Sequence, residues 1–226
     1  MSPSVDLENK MTKESVGHVM TGIMCACALL MTGLVVRQQM FPTAAAATTL
    51  PTHIKNWTDF RSGQVLGAPN RQVSLVVFSD YECPACRAFS KVVDSLRLKY
   101  PKTLSVYYRH LPIPSHPYGR PAALASECAA VQGHFAEAHK LLFADPDSIG
   151  IRPWADFAMQ AGVRDVGAFN ACMRDSSQVG VVQRDEAAAQ RLGITGTPTL
   201  LLGDQLIGGS RTFNQMDQLI RRQIKN

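Results

Sequence analysis

Apolar residues fall into several distinct patterns along the chain. Between Glu14 and Arg37 the stretch SVGHVMTGIMCACALLMTGLVV carries no Asp, Glu, Lys or Arg. Its apolar part approaches the ~20 residues that cross a bilayer as a helix. Downstream, FPTAAAATTLPT has few large apolar residues and two prolines, and reads as a linker. Val73-Ser74-Leu75-Val76-Val77-Phe78 is short, β-branched and almost continuously apolar, as a central strand covered on both faces should be, and it ends at Ser79-Asp80. Phe89, Val92, Val93, Leu96 and Leu98 then fall largely at helical spacing, with Pro84 suited to the first turn of that helix. Leu104-Ser105-Val106-Tyr107-Tyr108 alternates and follows Tyr100-Pro101, which predicts a second strand reached by a crossover helix.

From Pro121 to about Leu192 the chain is rich in alanine and helix formers, with breaks at Asp145-Pro146-Asp147 and Gly162; it predicts an all-helical insert. Thr199–Leu202, Gly203-Asp204 and Gln205–Ile207 predict a hairpin, and Asn214–Ile224 an amphipathic helix. The expected organisation is a cytoplasmic tail at 1–18, a transmembrane anchor or uncleaved signal at 19–36, a linker at 37–60, and a folded domain at 61–226 with a helical insert at about 118–192. The fold class is α/β.

With 226 residues, 46% of them hydrophobic, the chain has material for one well-buried domain and a tail. The net charge of +5 is scattered, with Arg221-Arg222 and Lys225 its only cluster, so the footprint of a nucleic-acid binder is missing. Lys10 and Lys13 before the apolar segment nearly balance Arg37 after it, so charge bias leaves the orientation to be inferred from chemistry. The small-residue run Ala44–Ala47 offers a cleavage site, but it lies far downstream, and a retained anchor is the preferred reading. Of the six cysteines, Cys25 and Cys27 sit inside the apolar segment and read as small apolar residues. Cys83, Cys86, Cys128 and Cys172 remain for the soluble part, an even number that fits an oxidising compartment.

Cys83 and Cys86 are separated by Pro84 and Ala85 at the start of the helix expected after the first strand. A thiolate at a helix N-terminus meets the partial positive charge of unpaired N–H groups, which favours ionisation. In CxxC motifs of this kind the pKa falls to ~3.5–7.5 from ~8.5. A stabilised thiolate stabilises the reduced protein and makes its disulfide a stronger oxidant. Cys83 therefore reads as the attacking sulfur that carries the mixed disulfide, and Cys86 as the resolving one. CxxC also supplies half of many zinc sites, but no second CxxC exists, and His110, His116, His134 and His139 make no compact ligand pattern with it. No metal and no cofactor are expected.

The stretch LGAPNRQVSLVVFSDYECPACRAF resembles the opening of the DsbA-like branch of the thioredoxin superfamily. QGHFAEAHKLLF, LGITGTPTLLLG and Gln205-Leu206-Ile207-Gly208-Gly209 resemble later blocks in the same order, spanning roughly Val65 to the C-terminus. The resemblance implies a thioredoxin-like fold with an inserted helical domain, here preceded by an N-terminal transmembrane helix. It carries Cys83 and Cys86 as the redox pair, Pro84 and Ala85 as tuning residues between them, and Thr197-Pro198 as a loop with a cis proline whose preceding residue binds substrate. It further implies a structural disulfide between Cys128 and Cys172. Many relatives place a buried carboxylate on the strand before the motif, and here that strand is apolar. Asp80 and Glu82 read as solvated loop carboxylates, His116 as a surface histidine, Arg87 as a secondary aid to the thiolate, and Trp57 and Trp154 as packing residues.

The expectation is an exported thiol:disulfide oxidoreductase, extracytoplasmic (periplasmic) and anchored at the inner membrane. It would introduce disulfides into cysteine-containing exported polypeptides and be reoxidised by a quinone-linked membrane partner implied by the family. The alternatives are an isomerase or reductase at the same site, or a metal- or peptide-binding module that has kept the fold.

Overall fold

The computed structural model describes residues 52–175 and 179–225, together with Met24 and Cys27, both helical. The anchor expected at 19–36 thus lies outside the described residues apart from those two. Among the described residues no helix is long and apolar enough to cross a membrane.

The folded part is built on a six-stranded sheet: β1 (Thr52–His53), β2 (Gln64–Leu66), β3 (Val73–Ser79), β4 (Leu104–His110), β5 (Thr199–Leu202) and β6 (Gln205–Gly208). Its order is β1-β6-β5-β3-β4-β2. β3 and β4 are parallel, as a helical crossover demands, and all other pairings are antiparallel. The crossover is α1 (Pro84–Lys99). Between β4 and β5 come α2 (Gly119–Ala130), α3 (Phe135–Ala144), α4 (Trp154–Gln160), α5 (Val166–Arg174) and α6 (Val179–Arg191), and α7 (Phe213–Lys225) follows the hairpin.

Every residue of β3 is buried, because the sheet is covered on both faces. Successive strand side chains point to opposite faces. Leu75 and Val77 accordingly pack with Phe89, Val93 and Leu96 of α1 and Met216 and Ile220 of α7, in the larger core. Val76 and Phe78 pack on the other side with Phe60, Tyr107, Ala188, Ala189 and Leu201. Each such side chain, taken fully from water, contributes roughly 1.5–3 kcal/mol.

Two sequence expectations give way here. Residues within the stretch read as linker join the domain: Thr52 and His53 pair with Leu206 and Gln205, and Phe60 is buried. Sparse large side chains suggested a tether, yet a two-residue edge strand needs only backbone partners. Leu98 does not share the buried stripe of α1 and is 83% exposed. It stands two residues beyond Leu96, which at 3.6 residues per turn turns it to the opposite side of the helix.

A buried ion pair fastens α6 to the sheet. Arg109 Nε donates to Asp185 Oδ1 at 2.8 Å, and the His110 backbone N–H donates to Asp185 Oδ2 at 2.8 Å. The Arg109 guanidinium also lies 5.4 Å from the Phe78 ring centre. Within the helical layer, Cys128 of α2 and Cys172 of α5 are joined by a disulfide with Cα atoms 5.7 Å apart.

Candidate active site

The end of β3 delivers the chain into a tight turn, Asp80-Tyr81-Glu82, and Cys83 becomes the N-cap of α1. It has extended backbone angles (φ −77°, ψ 117°), and its sulfur accepts from the Cys86 backbone N–H at 3.4 Å. Pro84 follows at the start of the helix, where its missing N–H costs nothing. The loop before β5 closes over this corner: the Thr197–Pro198 bond is cis, and the Cys83 thiol lies 3.5 Å from the Thr197 carbonyl oxygen, to which it donates. Sequence-distant Cys83, Cys86, Thr197 and Pro198 are thereby brought together. Cys128 and Cys172 stay in the helical layer, bonded to each other.

The two thiols are driven apart electrostatically. Cys83 is pulled from its ordinary 9.0 to about 5, first by a hydrogen bond from the Cys86 thiol; burial opposes this, and Thr197 and the backbone N–H groups of Cys86 and Ala85 assist. Cys86 is pushed far up, first by burial and next by holding its proton toward Cys83. The helix end therefore acts with a second sulfur, which carries the largest share. Arg87 makes its hydrogen bonds elsewhere: its Nε donates to the Phe143 carbonyl at 3.0 Å and its Nη2 to that of Ala144 at 3.4 Å, capping the end of α3.

Asp80 is not a solvated loop carboxylate, whereas Glu82 stays partly exposed. Asp80 is 2% exposed and accepts from the Glu82 N–H at 2.9 Å, the Ile113 N–H at 2.7 Å and His116 Nδ1 at 2.7 Å. Three donors replace its water shell, which is what permits the burial. Glu82 accepts from the Tyr118 N–H at 2.6 Å. Together they strap the segment 113–118 against the redox corner. Gly119 is required there, since a Cβ at that position would lie 2.9 Å from Asp80 Oδ1. His116 is only partly exposed, and although burial works against its charge, Asp80, Glu82 and Cys83 together raise its pKa. His116 is thus tied to a buried carboxylate beside the redox corner rather than free at the surface.

Sequence reasoning passed over the groups against Cys86: Ser79 at the end of β3, Tyr108 on β4 and His139 on α3, which share a small space with it. One signal was present in the alternation of β4, which puts Leu104, Val106 and Tyr108 on one face and Tyr107 on the other. Among the described residues no three His, Cys, Asp or Glu side chains converge on a metal position. Beside Cys83 a cleft of about 550 Å³ opens, lined by Glu82, Pro84, Arg87 and Lys91 among others. A second groove runs along residues 193–199, over the cis bond. The arrangement supplies an acidic thiol at the mouth of a cleft, a protonated thiol behind it, and a partly exposed loop beside both.

Comparison with known proteins agrees with this geometry. The model of a family described as Thioredoxin matches residues 60–222. A thioredoxin-like oxidoreductase from Silicibacter pomeroyi superposes with a TM-score of 0.65 at 27% identity, covering 76% of this chain and 99% of its own. The thiol-disulfide exchange protein alpha-DsbA2 from Wolbachia pipientis shares the fold at 20% identity, with a TM-score of 0.61 over 71% of this chain and 86% of its own. Among curated sequences, a Na(+)/H(+) antiporter NhaA 3 from Salinispora tropica is 34% identical over 139 residues, 61% of this chain. That match spans 21% of the antiporter's length, and others of the same name reach 28%.

Proposed function

The chain belongs to the thioredoxin family, and from that premise we propose that it is a DsbA-type thiol–disulfide oxidoreductase whose Cys83–Cys86 disulfide oxidises cysteine pairs in exported polypeptides. The observation that carries this reading is the opposed acidity of the two sulfurs at the N-terminus of α1. A client thiolate attacks Cys83 Sγ, the Cys83–Cys86 bond breaks, and Cys86 leaves and takes a proton. A second client thiolate then attacks the client sulfur of the mixed disulfide, and Cys83 departs as its stable thiolate. The client gains a disulfide, and the enzyme gains the two electrons. Thr197, on the groove beside Cys83, is the residue we assign to holding the client backbone, with Pro198 fixing the loop and Pro84-Ala85 leaving the thiolate without a titrating neighbour between the cysteines.

The test is a titration of the reduced protein by thiolate absorbance, combined with oxidation of a reduced dithiol peptide. The absorbance should rise with a midpoint near pH 5. Because the folded pKa lies below the ordinary value, the thiolate stabilises the reduced fold fully above about pH 9. That stabilisation disappears as the pH falls through about 5. A midpoint at the value of a free cysteine, ~8.5, removes the driving force and the proposal with it. Peptide oxidation with a potential near that of DsbA, about −120 mV, supports an oxidase, whereas one near thioredoxin, about −270 mV, makes the protein a reductase.

The working compartment we propose is extracytoplasmic, with the chain held at the membrane by residues 19–36 and reoxidised by a quinone-linked membrane protein. The support is the charge-free segment and the disulfide between helices. Cys128–Cys172 acts in stability alone: Cys128 is 1% exposed. Replacing both with alanine is expected to lower unfolding stability by ~2–4 kcal/mol. Chemical denaturation checks this, and peptide oxidation at low temperature should stay at the wild-type rate.

A further inference from the structure

β3 itself carries no carboxylate, and that of Asp80 just after it is taken up by Glu82, Ile113 and His116, so the proton that Cys86 takes on leaving is sought among the groups packed against its sulfur. Against Cys86 lies a small space of about 10 Å³, lined by Ser79, Cys86, Tyr108 and His139 and otherwise by apolar side chains such as Phe89 and Val93. That is near the smallest volume that accommodates one water molecule. Tyr108 is 2% exposed, and although Ser79 and Tyr81 lie close to its hydroxyl, neither makes a well-formed hydrogen bond with it. Buried polar groups are rarely left so, and one facing a water-sized space is ordinarily satisfied by water. Ser79, also 2% exposed, lies close enough to hydrogen-bond with both the Cys86 thiol and the Tyr108 hydroxyl.

We propose that this space holds one water molecule, oriented by the Tyr108 hydroxyl and Ser79, and that this water hands Cys86 its proton as the Cys83–Cys86 bond breaks. Tyr108 is then a positioning residue for the proton step. The inference rests on thiol–disulfide exchange at Cys83 as proposed above. In the step, the client thiolate forms a bond to Cys83 Sγ and the electron pair of the broken bond goes to Cys86 Sγ. The Cys86 sulfur takes a proton from the held water, which regains one from bulk solvent at the partly exposed Ser90 edge of the same space. The number of protons taken up equals the number the client thiol released on ionising. His139 cannot serve as the acid. Burial, and after it the neighbouring His110, hold its pKa down to about 3, and its Nδ1 is engaged with the Tyr81 hydroxyl at 3.1 Å.

Two single-turnover rates separate this role from a structural one. The first is attack of a small thiol on the oxidised protein, in which Cys86 leaves. The second is attack of the same thiol on a Cys83 mixed disulfide made in a Cys86→Ala background, in which Cys83 leaves. Tyr108→Phe keeps the ring and its packing. It should slow the first reaction about 10²-fold, at the low end for assisted proton transfer, and leave the second and the Cys83 thiolate titration unchanged. Ser79→Ala should act in the same direction and decides the matter if Tyr108→Phe does not fold. Wild-type rates for the first reaction in both variants, or equal slowing of both reactions, overturn the proposal. Wild-type protein that exchanges no disulfide at all refutes instead the function on which it rests.

Discussion

With Cys86 replaced by alanine, proteins with accessible disulfides are expected to accumulate on Cys83 as mixed disulfides that survive denaturing, non-reducing electrophoresis. The thiolate of Cys83, acidic and at the edge of the cleft, attacks one client sulfur, and the client's other sulfur leaves as thiolate. In the wild type the return attack by Cys86 is intramolecular, three residues along the same helix. Without it, release depends on thiols from solution, and the lifetime of the adduct should lengthen by on the order of 10³-fold or more. Cys83→Ala should give no adduct under the same conditions. If Cys86→Ala captures nothing while the wild type oxidises a dithiol peptide, the two sulfurs have been given each other's roles.

The second large effect lies away from the redox site. Asp185→Ala is expected to destabilise the fold by about 3–5 kcal/mol, because it leaves the Arg109 charge buried without its counter-ion. Arg109 and Asp185 are 4% and 3% exposed, and Asp185 also takes the His110 backbone N–H, so the substitution strips two buried donors of their acceptor at once. That loss is a large part of the ~5–15 kcal/mol that holds a typical domain together. Equilibrium denaturation of the reduced and oxidised forms measures it. The double variant Arg109→Met with Asp185→Leu should recover most of the loss, falling short only by the unpaired His110 N–H, ~1–3 kcal/mol. If the double variant is as unstable as Asp185→Ala, the pair's charge is not the cause.

Elements made of contiguous, strongly patterned residues were legible before any coordinates. The unbroken apolar run of β3 required cover on both faces, and it has it; Pro84 marked the helix start that makes Cys83 an N-cap. The weak elements were not legible. β1 and β2 are two and three residues long, and they exist because β6 and β4 offer free backbone donors and acceptors, which no local pattern encodes. Asp80 illustrates the same limit in chemistry. A carboxylate after a strand reads as solvated until Ile113 and His116, from beyond the next strand, supply the hydrogen bonds that keep it buried.

What the sequence determined by itself was the local chemistry: two cysteines one helical turn apart at a proline-marked helix start, in a chain patterned as strand, helix, strand, helices, hairpin, helix. What only the tertiary structure decided was the environment of those sulfurs. It set the Thr197 carbonyl against Cys83, committed the Arg87 hydrogen bonds to the end of α3, brought the Asp80–His116 pair alongside, and left Tyr108 facing Cys86. Burial and hydrogen bonding act between residues far apart in the chain, and their energies depend on distances that exist only once the sheet and helices have packed.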